Sequence, residues 1–242
     1  IGYVVASLTV LGLYAEQIPA AFGLIFHHAF NPVAAGGGFA GATIMLAMRY
    51  GVARGIFSNE AGLGTAGIAQ AAGQTRHAAE SGLIGMMGTF IDTLIVCTMT
   101  GLVLIVTGAW QSGLKGAVLS SAAFETALPG FGANFLAVAI VIFAFTTILG
   151  WAYYGEKCWE YLVGTKSEKP YRLLWTAFVL IGAVTHLDFV WLVSDTLNAF
   201  MAFPNLVSLL LLSPVVAKVT KDYFDRQGAT QALPVEVAGQ PR

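Results

Sequence analysis

The sequence predicts an all-α integral membrane protein, on three observations. Hydrophobic residues make up 57% of the 242 and charged residues only 10%, with a mean hydropathy of +0.73. A soluble domain carries about 25% charged residues, so lipid must solvate much of this chain. The apolar residues fall into runs near the length of a bilayer-crossing helix, about 20 residues. Lys and Arg, finally, gather in a few short segments between those runs, as the positive-inside rule requires of a multi-pass protein.

Taken in order, residues 1–14 (IGYVVASLTVLGLY) read as the tail of a membrane helix cut part-way, with no signal-peptide pattern in them. Residues 16–31 are apolar but hold Glu16, Pro19, His27 and His28, which suits an amphipathic helix lying at the interface. Residues 33–41 (VAAGGGFAG) predict a hinge, and 42–73 an interrupted helix. Residues 82–107 make a span containing Asp92, and 108–132 a long loop with a short helix at 119–127. Further spans are expected at 133–155, 172–187 and 190–217, the last kinked by Pro204 and Pro214. The transmembrane domain is thus assigned to 1–227, and 228–242 to a polar, disordered tail.

Charge sets the orientation. Arg76, the group Lys157, Lys166, Lys169 and Arg172, and the group Lys218, Lys221 and Arg226 belong on the cytoplasmic side. The 108–132 loop has one Lys and belongs outside. The alternation closes if 190–217 crosses once, which places the C-terminus in the cytoplasm of a cell-membrane protein. Arg49 and Arg54 then sit on the outer side, a mild breach of the rule. A net charge of −1 gives no footprint for nucleic acid. Cys97 and Cys158 lack metal-ligand spacing and read as small hydrophobes.

The segment 54–73, RGIFSNEAGLGTAGIAQAAG, carries the strongest functional signal. It places Asn59 and Glu60 among five glycines in an apolar region. Unpaired backbone in lipid costs several kcal/mol per group, so a helix breaks there only where the break lines a cavity. Gly62 and Gly64 permit the unwinding, and intramembrane carboxylates mark function by default. Against this, glycines also serve close helix packing, and Glu60 would then pair with Arg54 or Arg49. Thr146 and Thr147 offer adjacent hydroxyls to a hard cation such as Na⁺, although membrane threonines often bond their own helix carbonyls. Trp151 shares a helix face with Thr147 and would cover an apolar side chain. Asp92 and Asp195 are carboxylates within spans, with gating or structural roles open. No nucleophile–base or metal-ligand motif of an enzyme is present.

FSNEAGLG followed by FIDTLIVCTMT closely resembles the sodium:alanine (alanine or glycine:cation) symporter family. GGFAGATIMLAMRYGVARG, FTTILGWAYYGEKCWEYL and SDTLNAFMAFPNLVSLLLLSP extend the resemblance over roughly residues 1–224. The resemblance implies a leucine-transporter-like fold of two inverted five-helix repeats. This chain would supply core helix five and the whole second repeat, helices six to ten, with the N-terminal half of the same transporter as its partner. It also implies sodium-coupled symport of alanine or glycine across the cytoplasmic membrane by alternating access. Phe57, Asn59 and the backbone of Ala61, Gly62 and Gly64 match the helix-six break that contacts substrate. Thr147 and Trp151 match the helix-eight wall, and Thr146 and Thr147 the two hydroxyls of a sodium site. Na⁺ is then a co-transported ion rather than a prosthetic group. The alternative is a non-transporting fragment, or an accessory membrane subunit packing against a partner.

Overall fold

A computed structural model describes residues 1–30 and 51–231, and among these every regular element is helical. The expected hinge at 33–41, the first part of the interrupted helix and residues 232–242 lie outside the described residues. Helix α1 (Gly2–Leu13) turns through Ala15–Gln17 into α2 (Ile18–Phe30) with an 80° bend. That angle agrees with a first span followed by a segment lying along the interface. Pro19 falls in the first turn of α2, where a missing N–H disrupts nothing.

The interrupted helix is present as α3 (residues 51–59) and α4 (Thr65–Ala71) on either side of a non-helical stretch. α5 (Ala78–Thr89), a π-helical stretch (Phe90–Cys97) and α6 (Thr98–Val106) join end to end into one span of 29 residues. α7 (Gly116–Ala127) is the short helix of the long loop, starting three residues earlier than expected. α8 (Gly132–Val163), α9 (Glu168–Val184) and α10 (Leu187–Gln231) complete the chain. The spans Ala78–Val106, Gly132–Val163 and Leu187–Arg226 are long and apolar enough to cross a membrane, or four elements if the bent α1–α2 pair counts as one span. α9, at 17 residues, sits at the lower edge of spanning length.

Two helix ends run furthest past the sequence reading. α8 runs past residue 155 because its charged end pairs internally. Lys157 Nζ lies 2.7 Å from Glu160 Oε2, and Arg172 donates to both oxygens of Glu156, tying α8 to α9. α10 is one helix of 45 residues, about 68 Å at 1.5 Å per residue, and extends well beyond a bilayer core. It continues through residues 228–231, which the sequence assigned to the tail. It absorbs Pro214 locally: the proline cannot donate to the Leu210 carbonyl, and the Ser213 hydroxyl donates to it instead at 2.9 Å.

The packed core is confined to α1, α2, α6, α7 and the start of α8. Val10, Val103 and Phe124 are fully buried there, and the Tyr3 and Thr100 hydroxyls bond across α1–α6 at 2.5 Å. Elsewhere the apolar side chains face outward: Val141 is 68% exposed, Leu180 67% and Leu210 76%. Apolar faces of this extent are covered by lipid or by further protein.

Candidate functional site

The break between α3 and α4 is a left-handed turn built from three residues. Glu60 has φ 55°, Gly62 81° and Gly64 86°. Left-handed backbone is readily open to glycine but costs a residue with a Cβ about 1–2 kcal/mol. Glu60 is the one non-glycine with positive φ among the described residues, and its neighbours hold it there. The Asn59 side-chain oxygen accepts the Ala61 N–H at 2.9 Å, and the Glu60 carbonyl accepts the Leu63 N–H at 3.2 Å. The Thr65 hydroxyl donates to Glu60 Oε2 at 2.8 Å, bridging the break to the first residue of α4.

α10 backs this turn. A Cβ at Gly64 would stand 3.0 Å from Asn205 Oδ1, and one at Gly62 3.4 Å from Leu206. The glycines therefore supply both the positive φ and the close approach of α10. Gly64 is the N-cap of α4 and brings no side chain to cap it.

α8 and α10 flank the α3 side of the break with aromatic rings. Phe57 stacks on Trp151 at 6.2 Å between centroids and meets the edge of Trp191 at 5.4 Å. The Arg54 guanidinium lies 3.6 Å over Trp191 and donates to Asp195 Oδ2 at 2.9 Å. A cavity of about 1140 Å³ opens beside this pair, lined by Arg54, Lys115, Asp188, Trp191 and Asp195 among others.

Of the two partners that the alternative reading offered Glu60, Arg49 lies outside the described residues and Arg54 is engaged elsewhere. Arg54 does not pair with Glu60; it pairs with Asp195, and Glu60 is held by Thr65. Six residues separate Arg54 from Glu60, and Glu60 already stands outside α3 in the left-handed turn, where Thr65 of α4 takes its carboxylate. Asp92 likewise finds Ser58, whose hydroxyl donates to Oδ2 at 2.6 Å, rather than the threonines nearby in its own segment. Asp92 lies in the π-helical stretch, a form frequent at functional positions. Cys97 lies 3.5 Å from the same Ser58 hydroxyl.

Phe57, Asn59, Ala61, Gly62, Gly64, Glu60 and Trp151 are thus gathered around one turn. Thr146 and Thr147 lie on α8, one turn before Trp151, and are exposed. The Thr146 hydroxyl donates to the Phe143 carbonyl at 2.9 Å. That bond uses the proton and leaves oxygen lone pairs available to a cation. Ser58, Thr65, Trp191 and Asn205 escaped the sequence reading. Asn205, a lone amide beside Pro204 in an apolar run, was the most legible of these.

A broken helix, backed by two long apolar helices, defines a membrane protein built around an interrupted span. The description of the sodium:alanine symporter family matches residues 1–237, and the chain belongs to that family, whose members are transporters and not enzymes. It is 52% identical over 226 residues to an uncharacterised transporter of Haemophilus influenzae, covering 93% of this chain and 50% of that protein. It is 47% identical over 225 residues to the sodium/alanine symporter AgcS of Methanococcus maripaludis, covering 91% and 49%. A probable sodium/glutamine symporter, GlnT of Bacillus subtilis, is 36% identical over 231 residues, covering 94% and 47%. The chain spans about half the length of these relatives.

Proposed function

We propose that this chain forms half of a sodium-coupled symporter for a small neutral amino acid, alanine or glycine, in the cell membrane. The observation that carries the reading is the α3–α4 break, a left-handed turn at Glu60–Gly64 in an otherwise apolar, helical chain. Secondary transporters place such breaks at the substrate site: open helix ends and unwound carbonyls meet the charged ends of the solute and the ion. The relative named as a sodium/alanine symporter supports the choice of solute and ion.

In this reading α3–α4 is helix six of a leucine-transporter-like inverted repeat, and α1 is helix five. Phe57 and Trp151 form the apolar wall beside the substrate side chain. The Asn59 amide and the Ala61–Gly64 backbone meet its charged ends. Thr146 and Thr147 offer hydroxyl oxygens to Na⁺, which takes hard oxygen ligands. The remaining contacts come from the half that the relatives carry outside the matched region. Ion and solute each raise the affinity of the other, and the repeats rock around the site in alternating access.

The ion pair of Arg54 and Asp195 closes the outer end beside the cavity. Lys115, in the loop assigned to the outside, supports that orientation, and the basic groups around Lys157 and Lys218 support a cytoplasmic C-terminus. The test is uptake of labelled alanine by proteoliposomes of the intact transporter. An inward Na⁺ gradient should drive accumulation. Equal accumulation with and without that gradient overturns the reading.

A further inference from the structure

Trp191 occupies a position that no part of the substrate reading assigns. It stands between two residues one helical turn apart on α3. Its ring takes the Arg54 guanidinium on one face at 3.6 Å and meets Phe57 edge-on at 5.4 Å, with planes at 77°. Asp195 holds the other side of Arg54 at 2.9 Å. Asp195 lies four residues after Trp191 on α10, so the two share one helix face. Phe57 is in turn stacked on Trp151, nearly parallel at 16°, and Trp151 rests edge-on against Tyr154 at 5.9 Å. The rings form a continuous row from α10 through α3 to α8.

We propose that Trp191 is a positioning residue that sets the size limit for the transported side chain. It does so by pressing Phe57 against Trp151. The inference rests on the reading of Phe57 and Trp151 as the substrate wall. A phenylalanine side chain with room on one side adopts more than one rotamer. Phe57 has α8 on one side and would have open space on the other without Trp191. The indole is wide enough to reach Arg54 and Phe57 at once, and its electron-rich face holds the cation. With Trp191 in place the wall is fixed and the space beside it stays small. With a small residue there, Phe57 can retreat toward α10 and leave room for longer side chains.

The test is selectivity in proteoliposomes of the intact transporter. Labelled alanine uptake is measured against unlabelled alanine and leucine as competitors, and the ratio of their inhibition constants is read. That ratio does not depend on how much protein folds. One or two methylenes in an apolar pocket typically shift discrimination by roughly tenfold or more. Trp191→Ala should therefore shift the ratio toward leucine by about tenfold. Trp191→Phe should keep the parental ratio, because a ring still supports Phe57. Trp191→Leu should fall between them, and it gives the reading if the alanine variant does not fold. An unchanged ratio in Trp191→Ala or Trp191→Leu, with Phe57→Ala relaxed, overturns the proposal and leaves the substrate wall standing. An unchanged ratio in Phe57→Ala and Trp151→Ala overturns the wall itself.

Discussion

Replacing Gly64 by alanine probes the break most cleanly, because two separate costs converge on one methyl group. The backbone at Gly64 has φ 86°, in the left-handed region. Holding alanine there costs about 1–2 kcal/mol. The new Cβ also meets Asn205 Oδ1 at 3.0 Å and Cγ at 3.2 Å. Overpacking of this kind costs about 1–3 kcal/mol. Asn205 is a short side chain that can give way, so the lower half of that range applies. The sum is about 2–4 kcal/mol, roughly 30- to 700-fold in an equilibrium constant. Thermal unfolding in detergent and alanine affinity are the readouts. Gly64→Ala should lower the unfolding midpoint and weaken alanine binding together. Adding Asn205→Ala should recover the contact portion and leave about 1–2 kcal/mol from the backbone. Gly67→Ala is the control: its Cβ meets nothing within 4 Å, inside helix α4. It should be neutral or stabilise by about 0.5–1 kcal/mol. Equal midpoints for Gly64→Ala and Gly67→Ala would refute the reasoning.

Three further outcomes follow from the side-chain partners. Arg54→Gln and Asp195→Asn should each destabilise the protein, and the double variant should recover part of the loss, with a coupling of about 1 kcal/mol for a half-exposed pair; a double-mutant cycle in thermal unfolding measures it, and strict additivity would contradict the pairing. Glu60→Gln combined with Arg54→Gln should not recover transport lost in either single variant, since Glu60 is held by Thr65 instead; full recovery in alanine uptake would restore the Arg54–Glu60 pairing. Glu125 accepts the Gly130 N–H at 2.7 Å and the Ala133 N–H at 2.9 Å, and these backbone donors, first Ala133 and then Gly130, hold its carboxyl below the usual 4.5. A depressed carboxyl favours the folded turn above pH 4.5 and loses that contribution as pH falls through its lower folded value. Hydrogen exchange at those two amides, corrected for intrinsic rate, should quicken on acidification and in Glu125→Ala at neutral pH; pH-independent protection would contradict the staple.

The break itself was legible because glycines and polar residues interrupt an apolar run, and lipid tolerates that nowhere else. Its wiring was not. The partner of Arg54 is Asp195, 141 positions away, and only the packing of α10 on α3 brings them together. Spacing along the sequence offered Glu60, six residues off, but Glu60 leaves the helix at the left-handed turn and its carboxylate goes to Thr65. The π-helical stretch Phe90–Cys97 was equally hidden, since an apolar run has no period that separates one extra residue per turn from an ordinary helix. Pro204 and Pro214 left one long helix legible, and one α10 is what stands there, supported at Pro214 by a serine hydroxyl. The end of α8 was misjudged because its charges looked like a loop, whereas they pair within the helix and with α9.

Reciprocal binding tests the central claim most directly. Alanine affinity of the intact transporter is measured by calorimetry with and without Na⁺, and again in Thr147→Ala. Sodium-coupled symport predicts that Na⁺ tightens alanine binding by about 5-fold or more, that alanine tightens Na⁺ binding by the same factor, and that Thr147→Ala reduces both. Equal alanine affinity in the presence and absence of Na⁺ would contradict the account.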